Sequence, residues 1–135
     1  MTTAVNDLKG MTAAIAQVLK AKHITNNLQF VEAAAGPKER KALAAECGCD
    51  AKDILQLANR ADLARIKGVS GVYSDLLEHA GVDTVKELAM RRPDHLHTKL
   101  VETNSAAGLT QRPPTAAQVT DWVAEAKQLP KVLTY

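Results

Sequence analysis

The chain has 135 residues, the size of one domain or two very small ones. Hydrophobic residues make up 46% of it but aromatics only 3%, so the core must be built from Ala, Leu, Val and Ile, which suits close-packed helices better than a sheet. With 17 basic and 15 acidic residues the net charge is +2, and the clear basic excess usual in a nucleic-acid binder is missing.

Two cysteines, Cys47 and Cys49, are too few for a disulfide framework, and their spacing would close an awkward ring. Residues 1–9 are polar and adjoin no apolar signal core. No run is long enough to span a bilayer. A cytoplasmic protein without membrane attachment is the expectation.

In chain order, residues 1–7 read as a loose tail. Leu8-Lys9-Gly10-Met11-Thr12 leads into a helix over residues 13–22, with Ala14, Ile15, Val18 and Leu19 on one face. Thr25 is placed to cap a second helix carrying Leu28, Val31 and Ala34. Gly36-Pro37 breaks it, and Pro37 opens a third helix, where its missing N–H does no harm. Leu43, Ala44 and Cys47 face inward there. Gly48 ends that helix, Cys49 serves as a small apolar anchor, and Asp50 caps a fourth helix carrying Ile54, Leu55, Ala58 and Ala61 toward Arg65.

The organising stretch follows, Ile66-Lys67-Gly68-Val69-Ser70-Gly71-Val72-Tyr73. Gly68 can take φ > 0 and turn the backbone sharply. Ser70 is a suitable N-cap, and Val72, Tyr73, Leu76, Leu77 and Ala80 recur on one helical face. This is the pattern of the hairpin and second helix of a helix-hairpin-helix unit. A shift of 58 positions (66 minus 8) lays Leu8, Lys9 and Gly10 on Ile66, Lys67 and Gly68, and the first helix face on the later one.

Beyond it, Ala80-Gly81-Val82-Asp83 repeats the grammar of helix stop, apolar anchor and cap seen at Cys47-Gly48-Cys49-Asp50. Val85, Leu88 and Ala89 mark a short helix broken at Arg92-Pro93, and Leu96 and Leu100 lie on one face of the next. Residues 104–114 read as a loop. Thr115 and Gln118 fit a capping box for a helix with Val119, Trp122, Val123 and Ala126 in a stripe. Pro130 ends it, leaving a short apolar tail able to fold back. The expected fold is all-α. Two tandem helix-hairpin-helix-like repeats, about residues 8–57 and 66–104, share one core, and a helix at about 115–129 braces them.

Four segments carry a family resemblance. They are residues 59–69 (Asn59-Arg60-Ala61-Asp62-Leu63-Ala64-Arg65-Ile66-Lys67-Gly68-Val69), residues 80–85, residues 109–123, and the ending Leu129-Pro130-Lys131-Val132-Leu133-Thr134-Tyr135. On these the chain resembles the bacterial domain-of-unknown-function family 4332. That resemblance implies paired helix-hairpin-helix-like repeats, similar to sterile-alpha-motif domains, and no assigned activity. The wider helix-hairpin-helix class often holds DNA phosphates on the backbone N–H groups of a Gly-apolar-Gly turn. Here the turns read Gly68-Val69-Ser70 and Gly10-Met11-Thr12, with Gly71 one place late in the later copy.

The candidate phosphate or partner site is therefore Gly68, Val69, Ser70 and Gly71 with Lys67 and Arg65, and Lys9 with Gly10 in the first copy. The competing reading is a turn that only joins packed helices. Arg60, Arg65, Lys67, Arg91 and Arg92 could form a basic face or simply be solvated surface. Tyr73 and Trp122 sit on apolar stripes and read as core, which leaves no stacking platform for single strands. Two thiols fall short of a metal set, and His95 and His97 point apart on a helix. Gly68-Val69-Ser70-Gly71-Val72 is not a nucleophile elbow, and no P-loop or dinucleotide fingerprint is present. The expectation is a non-catalytic binding module with no cofactor, metal or evident small-molecule substrate and with an unknown protein partner. The alternative is sequence-independent binding of duplex DNA through the hairpins.

Overall fold

The computed structural model describes residues 2–69 and 71–135. The described residues are all-helical. After a 3-10 turn at Val5–Asp7 come α1 (Ala13–Ala21), α2 (Asn27–Ala33), α3 (Pro37–Cys47), α4 (Ala51–Leu63), α5 (Val72–His79), α6 (Val85–Ala89), α7 (Pro93–Ala107) and α8 (Ala116–Gln128).

Most boundaries follow local chemistry. Thr12 caps α1 by accepting the Ile15 N–H, Pro37 opens α3, Gly48 closes it at φ 70°, and Asp50 and Thr115 head capping boxes for α4 and α8. Three boundaries differ from the sequence reading. The cap of α2 is Asn26 rather than Thr25, whose own N–H and hydroxyl donate to Gln29 Oε1. α4 stops at Leu63, short of Arg65. α7 runs on through residues 104–107 to Gly108 at φ 63°, and the Asn104 side chain then holds Thr110 through both its N–H and its carbonyl. Nor is the N-terminal segment loose. Thr3 exchanges hydrogen bonds with Asn27, and Val5 and Leu8 are buried. Asn27 is itself buried and donates to the Ala61 carbonyl at 3.1 Å, so α4 fixes the segment indirectly.

Two hydrophobic clusters form instead of one shared core. Ile15, Leu19, Phe30, Leu43 and Ile54 centre the first, and Ile66, Val69, Leu77, Leu88, Leu100 and Trp122 the second. Within the first, α1 packs on α3, and α2 and α3 on α4. Within the second, α5 packs on α7, and α6 and α7 on α8. The C-terminal helix thus belongs to the second core, where it stands to its neighbours as α4 stands to α2 and α3.

Backbone details recur at the 58-residue interval (69 − 11, 82 − 24, 87 − 29). Met11 N–H donates to Leu8 O at 3.2 Å and Val69 N–H to Ile66 O at 3.0 Å. Ile24 N–H donates to Leu19 O at 2.9 Å and Val82 N–H to Leu77 O at 2.8 Å. Asn26 caps Gln29 as Thr84 caps Glu87. Gly10 and Gly68 both turn through positive φ, at 91° and 85°, which an L side chain rarely adopts.

The residues after α8 form a strap that returns to the first half. Leu129 packs on the second core, whereas Val132 and Leu133 pack on the first. Thr134 N–H donates to Ala35 O at 2.7 Å. The buried Arg40 guanidinium donates to the carbonyls of Ala34, Ala35 and Thr134, tying strap to helix. Truncating Leu133, which is 3% exposed, removes apolar contacts from that seam. Leu133→Ala should therefore lower stability by about 2–5 kcal/mol, read as a shifted urea midpoint.

Candidate functional site

Gly68 sits at the sharp turn, and a Cβ there would lie 3.5 Å from Trp122 Nε1. Val69 is fully buried in the second core. Gly71, at φ 49°, immediately precedes α5. The N-cap role expected of Ser70, and its place in the hairpin, fall outside the described residues. In the first copy a Cβ on Gly10 would meet Leu57 at 3.6 Å, and Lys9 is about half exposed, 3.9 Å from the Asp75 carboxylate of α5. The Gly10 turn thus lies beside α5, the helix that follows the Gly68 turn.

The charged candidates separate. Lys67 is exposed, but its N–H donates to Glu125 Oε1 of α8 at 3.1 Å. Asp75 sits in the first turn of α5 and pairs with Arg60 at 2.9 Å, while Arg60 Nε also pairs with Glu78. Carboxylates of the chain itself therefore stand at the hairpin and in the first turn of α5, where an external anion would have been expected. Arg65 is buried. It donates to Asp62 Oδ1 at 2.8 Å and to the Pro130 carbonyl at 2.6 Å. The other Asp62 oxygen accepts the N–H of Val85, the first residue of α6, at 2.8 Å. Arg91 pairs with Glu87 and Arg92 with Asp94, so the five arginines and lysines weighed as a basic face do not converge.

Asp62, Asp75 and Glu125 are the residues that the sequence reading passed over. The spacing of Asp62 and Arg65, three apart, was a usable local signal. Glu125 lies 58 residues from Lys67 and had none. Trp122 is buried and its ring centroid lies 5.4 Å from that of Tyr73 at a tilted angle, so both aromatics pack on the second core. Among the described residues no group of three or more His, Cys, Asp or Glu side chains gathers into a metal site, and no helix is long and apolar enough to cross a membrane.

The thiols correct another expectation. Cys47 is the buried one, while Cys49, after the left-handed Gly48, is only partly covered. Burial, and then the neighbouring Cys49 and Glu46, pushes the Cys47 thiol up from its ordinary value. Burial, and then the carboxylates of Asp53 and Asp50, does the same to Cys49.

The sequence matches the family described as "Domain of unknown function (DUF4332)" over residues 9–129, and the chain belongs to that family. No curated protein and no solved structure matches it.

Two outcomes follow. Asp62→Ala strands the buried Arg65 guanidinium and the Val85 N–H, and should cost about 3–5 kcal/mol in denaturant unfolding. Because raised thiol pKa values leave little thiolate near neutrality, both cysteines should react with a thiol reagent more slowly than free cysteine at pH 8, with Cys49 ahead of Cys47. Mass spectrometry of partially labelled protein gives the order.

Proposed function

We propose that this member of the DUF4332 family is a non-catalytic interaction module built from two helix-hairpin-helix-like units, with its hairpins used for packing rather than for holding nucleic-acid phosphate. The observation that carries this reading is the hydrogen bond from Lys67 N–H to Glu125. A hairpin that seats phosphate needs outward N–H groups and a positive surround. Here a carboxylate of α8 takes the Lys67 N–H at the edge of the turn, Arg65 is internal, and Asp75 and Glu78 stand on the neighbouring α5. The hydrogen bonds that recur at 58 residues support the duplicated-unit part of the reading. A reducing, cytoplasmic setting accords with two free thiols.

The test is titration of a fluorescently labelled DNA duplex at low salt, followed by anisotropy. No saturable binding is expected. Saturable binding that weakens steeply with salt and is lost in Lys67→Glu, with circular dichroism unchanged, would establish the duplex-DNA alternative instead.

A further inference from the structure

α6, α8 and the strap enclose a cleft of about 360 Å³. Small-molecule sites span roughly 300–1,000 Å³ and are mostly apolar with a few polar groups. The walls here are aliphatic: Val85 and Ala89 from α6, Ala126 from α8, then Leu129, Val132 and Leu133. Met90, 65% exposed, stands at the edge with a side chain able to adapt its shape.

The charge lining this cleft is one-sided. Lys86 of α6, Lys127 of α8 and Lys131 of the strap all line it, all are exposed, and none makes an ion pair among the described residues. The one carboxylate in the lining, Asp62, is already committed to Arg65 and the Val85 N–H. Asp83 and Glu87 line an adjoining groove that shares Thr84, Lys86, Met90 and Tyr135 with the cleft but do not line the cleft itself, and Glu87 is paired with Arg91. Three unpaired cations therefore surround an apolar hollow.

The backbone narrows the choice of ligand. The interior N–H and C=O groups of α8 are paired within that helix, and in the short α6 the N–H groups of Val85 and Glu87 are taken by Asp62 and Thr84. In the strap, the carbonyls of Pro130 and Thr134 are taken by Arg65 and Arg40. A peptide would need partners for its own backbone groups as well, whereas an aliphatic chain ending in an anion needs only the apolar walls and the lysines. We propose that the cleft binds a medium-chain aliphatic carboxylate, with its tail against Ala89, Ala126 and Leu133 and its head among Lys86, Lys127 and Lys131. This inference does not depend on what the hairpins do.

The probe is decanoate below its micelle concentration, titrated into the full chain by calorimetry and by methyl NMR. Saturable binding is expected, with shifts centred on Met90, Leu129, Val132 and Leu133. Decanol, which keeps the tail without the charge, and acetate, which keeps the charge without the tail, should each bind about tenfold more weakly or worse. The double variant Lys127→Glu, Lys131→Glu should fold normally by circular dichroism and lose about tenfold or more in affinity. Ala89→Phe should block the cleft. The proposal is overturned by any of four results: no saturable decanoate binding, equal affinity for decanol, affinity unchanged in the lysine variant, or binding to phosphatidylglycerol vesicles without binding to free decanoate.

Discussion

One buried carboxylate ties together three parts of the chain that lie far apart in sequence. Asp62 sits near the end of α4, and its two oxygens take the guanidinium of Arg65 and the N–H of Val85. The other arm of Arg65 reaches the Pro130 carbonyl, where the strap begins. The end of α4, the start of α6 and the exit from α8 are thereby held around one ion pair with side chains only 5% and 7% exposed. A buried pair of this kind adds little net stability over an apolar substitute, yet losing one partner is costly. Its physical effect is therefore to specify an arrangement. The two hydrophobic clusters meet across polar contacts, and Asp62–Arg65 and Arg60–Asp75 set how they meet.

The same contacts surround the glycine turn that the sequence offers as an anion site. Gly68 keeps the positive φ that the turn demands, but the turn is pressed against Trp122 and its flanking N–H is given to Glu125. Arg65, two residues before Lys67, faces inward because α4 ends at Leu63 and the chain then descends through tight turns from Asp62 to Ile66.

Much of the fold was legible because its boundaries are local. Pro37, Gly48, Asp50, Thr115 and Gly68 each act through their own backbone or the next turn, and a single sequence displays such residues plainly. The family, too, was legible from segments that fall largely within the matched residues 9–129. What escaped depends on distant partners. The N-terminal segment looked loose because its anchor, Asn27, is itself buried under α4 through Ala61. Cys47 faces inward as its place on the α3 face implies, but Cys49, expected as a buried anchor, is only partly covered after the left-handed Gly48. At the candidate site the glycine turns were visible, whereas Glu125 and the inward course of Arg65 were not, since neither has a sequence neighbour that announces it. The lysine-lined cleft was hidden for the same reason, because Lys86 and Lys131 come together only once the strap has folded back.

If the Asp62 junction and the strap make the two halves one cooperative unit, the halves must unfold together. Trp122 reports on the second core, and far-ultraviolet circular dichroism reports on helices of both halves. Equilibrium urea unfolding followed by both signals should give coincident transitions with one midpoint. A Trp122 transition clearly separated from the loss of helix would contradict the account, because it would show two cores that fold independently.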